Sequence, residues 1–264
     1  MNSLLATLAD LERSGGEAAL ATVVRARGSV PRHPGAKMIV YPDGRILGTV
    51  GGGQLESRVI EEAQAALRDN QPRLLHYRLV DLQVGDPGVC GGEMEVFVEP
   101  IKPQPTVVVI GAGHVGRAVT HLAKWLGFRV IVSDDRPEHA TPDWAPEADE
   151  YIAAPMADLP ARIPINGQTY LVLTTRGMPV DVPGLPALLQ TSAAYIGIIG
   201  SRRRWATTLK QLRETGLPAE GLARVHAPMG LELNAETPEE IALSILSEIV
   251  MLRRGGTGEV MRET

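Results

Sequence analysis

Apolar positions recur along this chain with two periods, and the way those periods are arranged divides it in two. Leu4, Leu5, Leu8 and Leu11 fall on one helical face, which predicts a short amphipathic helix at the start. Runs rich in β-branched residues at Ala19–Val24, Lys37–Tyr41 and Arg45–Val50 predict strands. Tyr41-Pro42-Asp43-Gly44, between the last two, is a hairpin signal, because Asp-Gly accepts the positive φ angles of a tight turn. Helical spacing returns over Gln54–Arg68, and Leu74–Val80 and Glu93–Glu99 predict two further strands joined by the glycine-rich Gly85–Gly92. This half reads as α+β.

From Thr106 onward, short buried-type strands alternate with helices, the pattern of a parallel sheet. The strands are Thr106–Ile110, Arg129–Ser133, Thr169–Thr175 and Tyr195–Ser201; the helices are His114–Leu126, Arg202–Thr215 and Pro238–Arg253. In the last helix, Ile241, Ile245, Leu246, Ile249 and Leu252 form one stripe, and Thr237 with Glu240 makes a capping box. The second half is therefore expected to be a Rossmann-like, doubly wound α/β domain. Pro100, Pro103 and Pro105 remove backbone donors between the halves, as a connection would. The expected division is 1–100, a linker 101–105, and 106–264.

Composition narrows the function classes. The 264 residues are 44% hydrophobic and 22% charged, ordinary globular values. With 26 Lys+Arg against 31 Asp+Glu, net charge −5, there is no basic field to attract a nucleic acid. The longest apolar runs fall far short of the roughly 18 residues of a membrane span. Met1–Ala9 lacks the basic start and apolar core of a secretory signal, so a cytoplasmic protein is expected. The single cysteine, Cys90, excludes an intramolecular disulfide and any Cys-rich zinc site.

Candidate chemistry collects at glycine-rich turns. Gly111-Ala112-Gly113-His114-Val115-Gly116 is a G-x-G-x-x-G between a strand and a helix, where successive glycines permit the turn, the approach of a pyrophosphate, and close helix packing. Asp134 ends the next strand, about 20 residues on, the expected place of a carboxylate that grips a ribose hydroxyl. His114, at the helix start, has two readings: a phosphate contact or a solvated surface residue. Gly51-Gly52-Gly53 precedes a helix and exposes backbone N–H groups, with Glu56 just beyond. Arg32, on the proline-stiffened loop Gly28–Gly35, suits recognition of phosphate or carboxylate. Arg202 and Arg203, with Arg204, open a helix against its dipole, which suggests an anionic ligand or a salt-bridge cluster. Only His226 among the later histidines lies where a strand-end loop could face a ligand crevice, and a lone histidine of this sort reads as structural or as part of a site. Cys90 has two readings: a small core residue, or a thiol that Gly91-Gly92 leave accessible. No HExxH, GxSxG or P-loop motif occurs.

Together these segments resemble the XdhC/CoxI family, accessory proteins that mature xanthine dehydrogenase, carbon monoxide dehydrogenase and related molybdenum hydroxylases. The resemblance is carried, in order, by Gly28-Ser29-Val30-Pro31-Arg32, Gly35–Met38, Gly48–Glu56, Val89-Cys90-Gly91-Gly92, Val96–Pro100, Gly111–Gly116, Asp134–Pro137, Tyr195–Arg203, His226–Leu231 and Thr237–Ala242. It implies an XdhC/CoxI domain followed by a Rossmann domain. It also implies binding of molybdenum cofactor (molybdopterin, including the cytosine dinucleotide form), support of its sulfuration, and delivery to an apo hydroxylase, with a cysteine desulfurase as sulfur source and a homodimer as assembly. The cofactor's phosphate and ribose groups would suit the 111–116 turn and Asp134. Its molybdenum end would face Cys90 and Glu56. Gln54 stands where many relatives carry a cysteine, which leaves Cys90 as the only thiol for such a role. The rival readings are an NAD(P)-dependent oxidoreductase, which lacks a visible acid–base pair, and a nucleotide-sensing regulatory module.

Overall fold

The computed structural model describes residues 4–79, 91–214, 216–217 and 219–262. The chain forms two compact units, Met1–Pro103 and Gln104–Thr264.

In the first unit, α1 (Leu4–Ser14) precedes β1 (Ala18–Arg27), β2 (Lys37–Val40), β3 (Ile46–Gly48), α2 (Gly53–Asp69), β4 (Arg73–Leu79) and β5 (Gly92–Ile101). The strands form an antiparallel sheet of order β3-β2-β1-β5-β4. Alternate residues of β1 serve opposite faces. Ala19, Ala21 and Val23 pack with Leu55, Val59 and Ala63 of α2, while Ala18 and Leu20 pack with Leu8 and Leu11 of α1. The β2–β3 hairpin turns where Asp-Gly predicts: Gly44 has φ 83° and its N–H donates to Tyr41 O at 2.9 Å. β5 continues through Ile101, paired with Ala18, so strand structure reaches into the proline-marked segment.

The second unit contains β6 (Thr106–Ile110), α3 (His114–Trp125), β7 (Arg129–Asp134), β8 (Glu150–Ala153), α4 (Leu159–Arg162), β9 (Thr169–Leu173), α5 (Met178–Leu189), β10 (Tyr195–Ile198), α6 (Arg202–Glu214), α7 (Ala219–Ala223), β11 (Val225–His226) and α8 (Pro238–Arg254). All six strands are parallel, in the order β11-β10-β9-β6-β7-β8. Numbered from β6, this is the 3-2-1-4-5-6 arrangement of a Rossmann fold, with the reversal of strand order between β6 and β9. Val107 and Val109 face a core shared with α3 and α8, and Val108 and Ile110 face one shared with α5 and α6. The α8 capping box forms as the sequence predicts.

Five elements were not expected from the pattern: α5, the short strands β8 and β11, and the short helices α4 and α7. α5 holds Pro183 and Pro186 within its span, and such residues read as breakers because each removes a backbone donor. Burial of Leu185, Leu188 and Leu189 outweighs that loss, and Gly184 lets the helix lie directly on Met156. β8 and β11 are too short, at four and two residues, to show a period.

Candidate functional site

The G-x-G-x-x-G turn joins β6 to α3 at the strand-order reversal, where open α/β sheets bind their ligands. Each glycine meets a different constraint. Gly111 has φ 100°, and a Cβ there would lie 2.6 Å from Thr174 O. A Cβ on Gly116 would lie 2.2 Å from Gly111 O, so this glycine lets α3 close on the turn. Gly113 has neither reason: its φ is −69° and nothing lies within 4 Å of a Cβ built on it. It caps α3 without any side-chain hydrogen bond, leaving first-turn amides to another acceptor. Beside it lies a cleft of about 290 Å³ at the carboxyl ends of β6, β7 and β9. Exposed His114 is on its rim, as are Arg136 and Arg176.

Asp134 lies in this cleft but is turned into the protein, with its side chain 1% exposed. Its Oδ2 accepts from Ala112 N at 2.9 Å and from Arg136 Nη2 at 2.9 Å. Its Oδ1 accepts from Arg136 N at 3.0 Å and Arg136 Nε at 2.9 Å. Burial works to raise this carboxyl, but the Arg136 hydrogen bonds and the Ala112 amide outweigh it and hold the pKa at about 2. The expected ribose grip therefore meets a carboxylate already engaged by the glycine turn and by Arg136. Two polar atoms lining the same cleft are buried without a hydrogen-bond partner, Ser133 Oγ and His139 Nδ1. The His139 ring stacks on Trp144 at 4.3 Å between centroids and 7° between planes, with Nδ1 3.8 Å from Asp134 Oδ2. Trp144 Nε1 donates to Ala112 O at 2.5 Å, tying this aromatic pair to the turn.

The arginines that open α6 divide. Arg202 and Arg203 are exposed. Arg204 instead reaches Asp181, which is wholly buried, through Nη2 to Oδ2 at 3.0 Å. Thr175 Oγ1 donates to the other oxygen of Asp181 and accepts from Gly177 N. The Arg204 side chain runs past Gly177 and Gly200, where a Cβ would crowd it.

His226 lies on β11, where its Nδ1 meets Glu248 Oε1 of α8 at 2.8 Å and its ring tilts against Tyr195 at 4.6 Å. Glu248 Oε2 also accepts from Tyr195 Oη and Gly230 N, both at 2.6 Å. Burial tends to raise Glu248, and these three donors, His226 foremost, hold it below the ordinary carboxylate range. Burial, and then Glu248, push the Tyr195 phenol well up. This cluster fastens β10, β11 and α8 together, and His226 is not among the residues lining the Asp134 cleft.

In the first unit, three separate sequence segments meet. A Cβ on Gly51 would lie 2.7 Å from Pro31 Cγ, and one on Gly92 would lie 2.3 Å from Ser29 O. The loops at 28–31, 51–53 and 91–92 thus pack on one another. Gly52 and Gly53 have φ 78° and 63° and open space where a Cβ would be. Glu56 organises this turn: its Oε2 accepts from Thr49 Oγ1, from Val50 N at 3.3 Å and from Gly52 N at 3.3 Å. Arg32 is exposed on the first of these loops. Cys90 lies outside the described residues. Among the described residues, no cluster of three or more His, Cys, Asp or Glu is arranged to hold a metal ion, and no helix is long and apolar enough to cross a membrane.

Two family matches coincide with these two units. Residues 107–249 match the XdhC Rossmann domain, and residues 11–78 match the XdhC and CoxI family. The chain belongs to the XdhC/CoxI family. Among curated relatives, Escherichia coli YqeB is 38% identical over 96% of this chain and 47% of its own length. A Bacillus subtilis protein named as a probable xanthine dehydrogenase component is 31% identical over 60% of this chain and 46% of its own. The chain thus spans about half the length of these two. The E. coli molybdenum cofactor insertion chaperone PaoD is 26% identical over 91% of this chain and 85% of its own. A solved structure described as a xanthine dehydrogenase from Bacillus halodurans shares the fold, with a TM-score of 0.52, 23% identity and 96% coverage of each chain.

In this XdhC-family chain, the residues missed by sequence reasoning are partners rather than motif members. Ser133, His139, Trp144 and Arg176 line the cleft from three different segments. Asp181 and Glu248 are acids within helices whose burial no local pattern reveals. Asp181 did carry a signal: it is an acid amid the apolar residues of Met178–Leu189, and a buried charge requires a partner.

Proposed function

We propose that this chain is a molybdenum cofactor-binding accessory protein that hands the cofactor to a xanthine dehydrogenase-type hydroxylase, in the cytoplasm and as a homodimer. Family membership and the near full-length likeness to a molybdenum cofactor insertion chaperone support this reading. The geometric observation that carries it is Gly113, a glycine with no steric or conformational reason of its own, beside a cleft lined by the unpartnered Ser133 Oγ. A ligand pressed against Gly113 and donating or accepting at Ser133 would account for both. The cofactor fits this chemistry: it is a pterin with a phosphate ester, and when bound it supplies a molybdenum centre held by its dithiolene. The α3 amides would receive the phosphate, and His139 and Ser133 would meet the polar edge of the bound molecule.

Cys90 remains the thiol this reading would place nearest the sulfur chemistry, with a desulfurase as donor. Glu56, engaged with its own loop, would act by holding the 49–53 turn. Mass spectrometry of the small molecule that co-purifies from a molybdenum-replete host tests the reading. A molybdopterin is expected. Bound NAD with turnover would replace the reading by an oxidoreductase, and a nucleotide without turnover by a sensor. Cys90→Ser with full cofactor retention and full client activation would remove Cys90 from the mechanism.

A further inference from the structure

The carboxylate ending β7 has no acceptor position left for a ligand. An ionised carboxylate offers about four such positions. Asp134 fills them with Ala112 N, Arg136 N, Arg136 Nε and Arg136 Nη2. The usual Rossmann contact, in which this acid accepts from ribose hydroxyls, is therefore closed. What the cleft retains is mainly donors. Arg136 carries five N–H groups and commits two of them to Asp134. Arg176 contacts Asp135 through Nη2 alone and lines the same cleft. The uncapped start of α3 adds backbone amides beside the open Gly113. Ser133, fully buried, contributes a hydroxyl with no partner. Two arginines and two aspartates cancel in formal charge, so selectivity here rests on the free donors against the spent acceptors of Asp134, the strand-end acid, while Asp135 is exposed and held by Arg176 at Oδ2. Such a surface suits a group that only accepts, and suits poorly one whose recognition requires a carboxylate.

We propose that the cleft recognises its ligand through a terminal phosphomonoester and not through a ribose diol. The inference rests on the cofactor reading above and deepens it: the form taken is molybdopterin carrying only its own phosphomonoester, ahead of the cytosine dinucleotide. The same chemistry would favour the 2′-phosphate of NADP over the bare diol of NAD, since a phosphate presents three strong acceptor oxygens to guanidinium groups.

The test uses full-length protein from a host that makes both cofactor forms. Bound pterin is oxidised and quantified, and CMP released by hydrolysis is measured on the same sample. Pterin without CMP is expected. Equimolar CMP overturns the phosphomonoester inference and leaves the cofactor reading standing. Absence of any pterin instead removes the cofactor reading, and titration with NADP and NAD then decides: at least tenfold tighter NADP is expected, and equal or tighter NAD, or no binding of either, overturns the inference. Arg136→Gln frees acceptor positions on Asp134, so the preference should reverse toward the diol-bearing ligand. Arg176→Gln leaves the Asp134 cluster intact and should lower phosphomonoester binding about tenfold. This second variant keeps the test decisive if the first does not fold, and unchanged binding in it overturns the proposal.

Discussion

Gly113 and Gly116 stand three residues apart in one turn, and the structure gives them opposite reasons for being glycine. In Gly116→Ala the new methyl would lie 2.2 Å from Gly111 O, a backbone atom that cannot swing aside. That is more than 1 Å inside the ~3.5 Å optimum of a non-bonded contact. Overpacking of this kind costs about 3 kcal/mol, and the better helix propensity of Ala returns about 1 kcal/mol. The net loss is about 2 kcal/mol, which lowers the melting temperature of a unit this size by about 4–8 °C. In Gly113→Ala the methyl meets nothing. Replacing a Gly cap by Ala costs about 0.5–1 kcal/mol, and reduced freedom of the unfolded chain offsets it by about 0.4–1 kcal/mol. That variant should melt as the wild type does, yet lose cofactor at least tenfold, because the methyl stands where the ligand would press. Tryptophan fluorescence follows the second unit alone, since Trp125, Trp144 and Trp205 all belong to it. Molybdenum and pterin content per chain report retention. Full cofactor in Gly113→Ala would refute the placement of the ligand, and unchanged melting in Gly116→Ala would refute the packing argument.

Acid should weaken the second unit partly through Asp134. Its folded pKa of about 2 lies below the unfolded value of 3.8, so its contribution is present above the unfolded value and is lost as pH falls toward 2. The shift amounts to about 2 kcal/mol, and Asp134→Asn should flatten the stability profile between pH 5 and pH 2 relative to wild type in fluorescence-detected urea unfolding. Arg204→Met leaves Asp181 charged and buried, which should cost about 3–5 kcal/mol, whereas Arg202→Ala and Arg203→Ala should change stability by less than about 0.5 kcal/mol; equal effects from all three would refute the division of this arginine run. Glu56→Gln keeps an oxygen for the amides of Val50 and Gly52 and should be mild in stability and in cofactor retention. Glu56→Ala, which strips the acceptor from three donors of the 49–52 turn, should cost about 1–3 kcal/mol by circular dichroism, and a severe loss of retention in stable Glu56→Gln would restore a direct role for the charge.

The Rossmann unit was legible because its strands are continuous apolar runs and its helices carry 3.6-residue stripes, so element order alone implied a parallel sheet. Where β-branched runs ended, at Ile110 and Ser133, the strands end within a residue. α5 was hidden because its prolines speak against a helix locally, while its reason to exist, burial against Met156 and the core around Leu171, is set by residues distant in sequence. Side-chain direction was the other missing quantity. The sequence Asp134-Asp135-Arg136 shows an acid and a base two residues apart, but not that the guanidinium folds back to bind the acid with both arms. Arg204 and Asp181 are 23 positions apart on different helices, a pairing that only the tertiary fold creates.

A common logic links the two acids that were expected to face a ligand. Glu56 lies in the first turn of the helix that its glycine turn opens, Asp134 ends the strand beside the other such turn, and each accepts from an amide of that turn, Gly52 N or Ala112 N. An internal carboxylate in that position fixes the backbone without help from a bound group, so the turn exists before any ligand arrives. Preorganisation of this kind lowers the ordering cost of binding. It also removes the carboxylate from recognition, so that the open glycines Gly113, Gly52 and Gly53, rather than the acids beside them, mark the surfaces on which a ligand would rest.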